Sequence, residues 1–256
     1  EEVLDLHGSL RTRLAGLLFL LHPRGQLVRW TTYSKERWRN WGFYLFKSLW
    51  PVRLRPRSQV ERFAQAAGGS GRERPSLTHL LSAPLQAERR GVCIMPSAKG
   101  AGKVWSLERW SELLLAEEGA FSNELITVLG THQDSESVAL LESLKKKNPR
   151  LQLADGLGLT PFSELARVMA KHRRVLCVDT GIAHLAEALG IPAVVLYGPT
   201  SPEQGFGPWR TDSRAVHTDL WCSPCGRDGR ACFRIRDRFA CQKHIGVEKV
   251  RTAVLT

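Results

Sequence analysis

The sequence predicts an α/β protein built on parallel β-sheet, and three stretches carry that prediction. The first is 175–200, V-L-C-V-D-T-G-I-A-H-L-A-E-A-L-G-I-P-A-V-V-L-Y-G-P-T. Val175 to Val178 is a short apolar run rich in β-branched residues, as in a strand buried on both faces. Ile182, Leu185, Ala186 and Leu189 then recur at helical spacing, Gly190 supplies a C-terminal cap, and Pro192 bars continuation. Ala193 to Tyr197 is a second buried strand, so the stretch reads strand, turn, helix, strand, a βαβ unit. The second is the apolar strand Gly91 to Pro96 with the loop S-A-K-G-A-G-K-V-W after it. The third is the strand Leu125 to Leu129, the turn G-T-H-Q-D and the helix Ser135 to Lys147.

Length and composition bound the answer. A chain of 256 residues holds one large or two ordinary domains with a real core. Hydrophobic residues at 43% and charged residues at 24% are globular values, which excludes disorder as the default. No apolar run reaches the roughly 18–20 residues of a membrane span, and the longest candidate, Leu14 to Leu21, falls far short. A soluble chain is expected. Lys and Arg outnumber Asp and Glu by 37 to 25, a formal +12 that attracts polyanions of any kind. The arginines are spread along the chain rather than gathered in one arm. That argues against nucleic acid as partner and suits an anionic membrane face carrying a phosphorylated glycolipid.

Along the first third, Val3 to Leu6 reads as a strand that opens mid-domain, so the chain is expected to lack its beginning. The helix Arg11 to Leu21 is expected to cover one face of a sheet, and Leu27 to Thr31 is a further strand. From Lys35 to Trp50, Trp38, Trp41, Phe43, Tyr44, Phe46, Leu49 and Trp50 interleave with Lys35, Arg37, Arg39 and Lys47. A packed face with solvated cations is favoured slightly over an acceptor cleft or lipid interface. Ser58 to Ala67 is a short helix, and G-G-S-G-R-E-R-P at 68–75 has linker composition. The domain boundary falls between about Gly68 and Arg90, drawn as 1–85 and 86–256. Farther on, Leu151 to Leu153 is a short strand, and Thr160 caps a helix from Pro161 to Lys171.

In open parallel sheets ligands bind outside the carboxyl ends of the strands, where several chemically equipped turns lie. Thr180 is placed to cap its helix, and the free N–H groups of Gly181 and Ile182, with the helix dipole, favour a phosphate. His184, one turn in, adds a donor. Helix grammar alone favours a plain cap and a packed histidine. Glycines in the 97–105 loop allow close backbone approach and a lysine supplies a point charge, although a flexible surface loop has the same composition. Asp134 suits a ribose hydroxyl or the N-cap of the following helix about equally. Cys222, Cys225, Cys232 and Cys241 form C-x2-C-x6-C-x8-C, a set able to close a tetrahedral zinc or an iron–sulfur site. Cys93 and Cys177 sit inside strands as small core residues.

Asp179, Thr180, Gly181, His184, Leu185, Ala186, Ala188, Leu189, Gly190 and Pro192, followed by Tyr197 to Thr200, resemble the D-T/S-G-x-x-H-L-A-x-A-L-G-x-P and Y/F-G-P-T signature of glycosyltransferase family 9, the heptosyltransferases of lipopolysaccharide core synthesis. Lys103, Trp105, Glu108, Arg109 and Trp110 match the family's K-x-W-x-x-E-R-W/F; Lys99 lacks the spacing to Trp105. Asp134 matches its Gly-x-x-x-Glu/Asp. Val3 to Arg11 resembles D-L-Q-G-N/S-x-R, with His7 in place of Gln. The four-cysteine tract resembles a C-x-P-C…C…C loop of many members.

The resemblance implies a GT-B architecture, two Rossmann-like domains with parallel sheets, the first incomplete. It implies inverting transfer of heptose from ADP-heptose to the lipopolysaccharide inner core, with no required metal, in the cytoplasm or peripherally on the inner membrane. Lys103, Thr180, Gly181 and His184 would stabilise the departing diphosphate. Ser97, Asp134, Asp179, Gly198, Pro199 and Thr200 would bind the donor. Structural zinc at the four cysteines is the one metal expected. The family's proposed base lies on an earlier strand and loop with no counterpart here, so residues 1–256 are expected to bind ADP and transfer little sugar. The alternatives are a non-catalytic nucleotide-sugar-binding relative and a nucleic-acid-binding protein; the latter lacks a clustered basic stripe.

Overall fold

A computed structural model describes residues 2–22, 29–46, 49, 54–70, 74–81, 89–116, 121, 123–159, 162–226 and 228–256. Leu27, Lys47, Trp50, Thr160, Pro161 and the 85/86 boundary, each singled out from sequence, lie outside the described residues. The chain divides into two compact units, Glu1–Pro75 with Glu203–Phe206, and Ser76–Pro202 with Gly207–Thr256.

In the first unit β1 (Glu2–Asp5) pairs in parallel with β2 (Arg29–Thr32), from Glu2↔Arg29 to Asp5↔Thr32. Between them runs α1 (Leu10–Leu21), started by a reciprocal capping box of Ser9 and Thr12. Gly8, at φ +55°, makes the left-handed turn into it. Asp5 accepts hydrogen bonds from the N–H groups of His7 (3.0 Å) and Gly8 (2.8 Å) and from the Thr12 hydroxyl (2.8 Å). Burial opposes its charge, but the bonds from Gly8, Thr12 and His7 outweigh it and hold the carboxyl below its ordinary range. The carboxylate therefore serves the strand-to-helix turn.

The first unit also corrects two expectations. α1 buries only Gly16, against Trp30, where a Cβ would stand 2.8 Å from the indole; Leu10, Leu14, Leu17 and Leu18 are exposed. In α2 (Arg37–Phe46) Phe43 is buried beneath the Arg55 guanidinium at 5.9 Å, whereas Trp38 and Trp41 are 57% and 70% exposed. The aromatic stripe winds around the helix, so one packed face cannot take all of it. Farther along this unit is α3 (Gln59–Ala66).

The second unit is a six-stranded, wholly parallel sheet in the order β5-β4-β3-β6-β7-β8. Its strands are β3 (Val92–Met95), β4 (Ile126–Gly130), β5 (Leu153–Leu157), β6 (Arg174–Val178), β7 (Ala193–Tyr197) and β8 (Arg214–His217). Alternation along the strands divides the core in two. Val92, Ile94, Leu176, Val178, Val194 and Leu196 join one cluster, and Cys93, Val175, Cys177, Ala193, Val195 and Tyr197 the other. On the first face pack α4 (Leu107–Leu114), α5 (Ser135–Lys147) and α9 (Val247–Leu255). There Trp105 meets Trp110 edge to face at 5.0 Å and donates its indole N–H to the Ile245 carbonyl at 3.1 Å. On the second face pack α6 (Phe162–Ala170) and α7 (Gly181–Ala188). β8, the four-residue α8 (Ala240–Lys243) and α9 were not foreseen in the sequence. β8 is an edge strand with only Val216 buried, so it has no apolar run to announce it.

Buried His172 joins the sheet to α6: its Nε2 lies 2.8 Å from the Thr127 hydroxyl and its Nδ1 2.9 Å from the Val168 carbonyl. Burial, together with the Lys171 charge, lowers its pKa from the ordinary 6.5 in spite of the hydrogen bonds at Val168 and Met169. The folded state thus binds this proton less readily than the unfolded chain, so stability is present above pH 6.5 and is lost as pH falls below it. The melting temperature is expected to drop between pH 7.5 and pH 5.5, and by less in His172→Gln, which has no ring to protonate; thermal melts across that range measure it.

Candidate functional site

The order of the second sheet fixes where a ligand goes. From β3 the chain winds outward through β4 and β5, then returns beside β3 at β6 and winds the other way through β7 and β8. Such a reversal opens a crevice beyond the carboxyl ends of the two central strands. β3 and β6 run in register to Met95↔Cys177, and β6 and β7 to Val178↔Leu196, so three loops leave at the same level.

The loop after β3 ends in a short 3-10 turn, Ala101–Lys103, and the Lys103 ammonium lies 2.7 Å from Asp179 Oδ2 in the loop after β6. The same oxygen accepts from the Thr200 hydroxyl, at the end of the loop after β7, at 2.7 Å. One carboxylate oxygen therefore gathers all three loops. Both members of the ion pair are mostly buried, at 14% and 13% side-chain exposure. Lys99, the competing lysine, is exposed.

Beside this cluster Thr180 is the N-cap of α7, its hydroxyl accepting from Ile182 N–H at 3.0 Å. Gly181 follows with open space where a Cβ would be. The cap thus occupies the Ile182 N–H that was expected to be free, and Ala183 N–H bonds the Thr180 carbonyl at 3.3 Å, so the first turn presents its dipole and the Gly181 amide to solvent next to a lysine, an arrangement suited to an anion. His184, one turn further in, stacks flat against Trp209, with ring centroids 5.6 Å apart and planes at 2°. Its Nδ1 is buried without a hydrogen-bond partner. Burial moves its pKa below the ordinary 6.5 although Glu187 and Asp179 favour the charged ring.

The other expected donor residues fall into two groups. Gly198 and Pro199 stand at the cluster, in the loop that carries Thr200. The Gly198 carbonyl accepts from the Ser223 hydroxyl at 2.6 Å and that of Pro199 from the N–H groups of Cys225 (2.9 Å) and Gly226 (3.1 Å). Gly102 N–H donates to Gly229 at 2.8 Å, so the cysteine tract is tied to both the lysine loop and the Gly198 loop. The hydrogen bonds of Ser97 and Asp134 lie at the start of α5 rather than at the ion pair. Ser97 is buried and bonded to Ser137 at 3.0 Å, in the first turn of α5. Asp134 occupies the N-cap position of α5 without bonding the helix; its Oδ2 instead closes its own turn on Thr131 N–H at 2.7 Å.

Gln242, Ser137, Ser223, Glu187 and Trp209 were missed in the sequence. Gln242 is fully buried with neither amide atom hydrogen-bonded, and a Cβ on Gly198 would stand 2.3 Å from its Oε1. Ser137, Glu187 and Gln242 lie on α5, α7 and α8 and Trp209 and Ser223 on loops, and no local pattern in the sequence marks them.

The zinc expectation is corrected here. Cys222 and Cys241 are buried, Cys232 is half-buried and Cys225 is exposed. Burial, with neighbouring Cys225, Cys222 and Cys232, pushes the Cys241 thiol up to about 11. Yet among the described residues no group of three or more His, Cys, Asp or Glu is arranged to hold a metal ion. As placed, the four thiols do not fit a zinc cage, since such a cage needs all four sulfurs within bonding reach of one point.

The model of the glycosyltransferase family 9 (heptosyltransferase) matches residues 33–232, a span that includes Lys103, Asp179, Thr180 and Thr200. The chain belongs to this family. Lipopolysaccharide heptosyltransferase 1 of Pseudomonas aeruginosa is 40% identical over 78 residues, covering 30% of this chain and 19% of that protein. The corresponding Escherichia coli protein is 33% identical over 122 residues, 46% of this chain and 35% of its own length. The chain thus matches about a fifth to a third of the length of these curated relatives. Among solved structures, the E. coli ADP-heptose lipopolysaccharide heptosyltransferase II superposes with a TM-score of 0.58 at 21% identity, over 78% of this chain and 61% of that one. Such neighbours assign the family 9 chain an α/β fold of the GT-B class with parallel sheets. Among the described residues no helix is long and apolar enough to cross a membrane.

Proposed function

We propose that this family 9 chain carries the donor site of a heptosyltransferase that moves heptose from ADP-heptose to the lipopolysaccharide inner core, with inversion and without a metal. The observation that carries it is the meeting of Lys103, Asp179 and Thr200 beside the exposed helix N-terminus at Gly181, at the sheet reversal. In that reaction the bond from the sugar's anomeric carbon to the phosphate oxygen breaks and its electron pair leaves on ADP. A bond forms from the acceptor oxygen to the opposite face of that carbon, and the acceptor proton passes to a base outside this cluster. Charge grows on the diphosphate as the bond breaks, and a fixed ammonium with helix N-terminal amides stabilises it most at that moment. Lys103 then exchanges Asp179 for the phosphate, while Asp179 keeps Thr200. His184 adds an uncharged N–H donor, and Ser97, Asp134, Gly198 and Pro199 shape the nucleotide pocket.

On this reading residues 86–256 form the nucleotide-sugar domain with its four-cysteine loop, and 1–85 belong to the acceptor-side domain. Calorimetric titration with ADP, ADP-heptose and UDP-sugars tests it: binding selective for the adenine nucleotides supports it, and absence of ADP binding overturns it. A non-catalytic nucleotide-sugar-binding role is the second reading, favoured by a cluster whose one carboxylate, Asp179, is paired to Lys103 and bonded by Thr200, so that it holds a nucleotide without supplying a base. ADP binding without transfer in an assay with lipopolysaccharide acceptor distinguishes the two.

Exposed Trp38 and Trp41 beside Arg37 and Arg39 support a peripheral contact with the anionic cytoplasmic leaflet. Trp38→Ser with Trp41→Ser is expected to abolish sedimentation with anionic liposomes while leaving the melting temperature nearly unchanged. Buried Phe43 is kept out of that test because its loss would unfold the helix packing.

A further inference from the structure

After Thr200 the chain returns to α7 at residues 209–210, and the partner it finds there is Glu187. This carboxylate is 3% exposed and sits three residues after His184 on the same helix. It accepts from the Trp209 N–H at 3.0 and 3.2 Å and from the Arg210 N–H at 2.8 Å. The Arg210 guanidinium is engaged elsewhere, by Asp212 through two bonds of 2.8 Å. Glu187 therefore spends its charge on two backbone amides of a loop. What that loop delivers is the Trp209 indole, parallel to the His184 imidazole.

We propose that Glu187 and Trp209 are positioning residues for His184: the buried carboxylate fixes the 209–210 backbone, and the indole laid on the imidazole holds that ring in one orientation beside the Thr180 turn. Residues i and i+3 share a helix face, so one short segment covers both side chains. The stack also removes one ring face from water. The acidic groups that act on the ring are Asp179, which carries Lys103, and Glu187 itself; both favour a proton on it, and burial outweighs them. A ring kept neutral offers an anion the same N–H donor across the working pH range. The inference takes from the donor-site reading only that the anion is the diphosphate of ADP.

The test uses the whole chain and two readouts, His184 ring titration by NMR without ligand and ADP affinity at several pH values. Trp209→Leu is expected to move the His184 pKa toward the ordinary 6.5. It is expected to weaken ADP binding about tenfold at pH 8, the cost of ordering one side chain at the moment of binding. That deficit shrinks toward pH 5.5, where the freed ring gains charge, and the variant-to-parent ratio cancels the ionisation of ADP. Trp209→Phe restores a ring face and recovers at least half of both effects. Glu187→Gln keeps the packing and weakens the hold on residues 209–210, so ADP affinity falls as in Trp209→Leu, while the loss of a carboxylate that favours the charged ring opposes the rise of the His184 pKa. Should Trp209→Leu fail to fold, the other two variants decide. Unchanged His184 titration in a folded Trp209 variant, or unchanged ADP affinity in folded Glu187→Gln, overturns the proposal. Failure of the parent to bind ADP overturns the donor-site reading alone, because the titration needs no nucleotide.

Discussion

Lys103→Ala is expected to lower the affinity for ADP by roughly 10- to 100-fold, since a hydrogen bond to a charged group contributes about 1.5–3 kcal/mol and each 1.4 kcal/mol is tenfold. The loss has two sources. The ammonium no longer meets the phosphate, and Asp179, mostly buried and bound to Lys103 at 2.7 Å, is left facing an incoming anion without its counter-charge. The second source can be removed separately. In Asp179→Asn the lysine is freed from its competitor, so affinity falls less than in Lys103→Ala. Adding Asp179→Asn to Lys103→Ala restores part of the binding, because it deletes an uncompensated carboxylate. A calorimetric double-mutant cycle measures the coupling. Additive effects of the two substitutions would show that the pair does not act as one unit toward the nucleotide.

Gly91→Ala is expected to cost about 3–5 kcal/mol of stability, from left-handed strain and overpacking together. Gly91 opens β3 at φ +71°, and a Cβ there would stand 2.2 Å from the Leu125 carbonyl oxygen. That oxygen cannot withdraw, since it accepts from Val92 N–H at 2.8 Å at the start of the β3–β4 ladder. Gly91 is also pinned by its own N–H to Glu124 at 2.8 Å and by its carbonyl to Arg173 N–H at 3.1 Å. The expected fall in melting temperature is roughly 10 °C for a chain of this size. Calorimetry of the variant checks it; a fall of 2 °C or less would mean that the strand entry yields more easily than its hydrogen bonds imply.

How far the site was legible depends on the distance over which its chemistry acts. The strand, cap and helix around Asp179, Thr180 and Gly181 were readable because burial alternation, an N-cap threonine and a terminal glycine act within a few residues of one another. The choice of Lys103 over Lys99 came instead from the resemblance to the family's K-x-W pattern, and the structure pairs Lys103 with Asp179. α1 was misjudged for the converse reason: its leucines announce a helix, and nothing local says that only Gly16 is buried in it. Zinc at the cysteines was misjudged likewise, because thiol spacing along the chain does not bring sulfurs to one point in space.

By itself, the sequence determined the parallel α/β class and the strands and helices from β3 to β7, since apolar period, caps and glycine turns are local and additive. It also marked two of the turns that the structure brings together, those of Lys103 and Asp179. Only the tertiary structure decided that one oxygen of Asp179 holds Lys103, 76 residues away, and Thr200, 21 residues away. It likewise decided that Trp209 lies on His184 and that Gln242 is wedged against Gly198. The physical reason is that a period of 2 or 3.6 residues reports which face a side chain takes, whereas which side chains meet across loops depends on strand order, and no local pattern encodes that order.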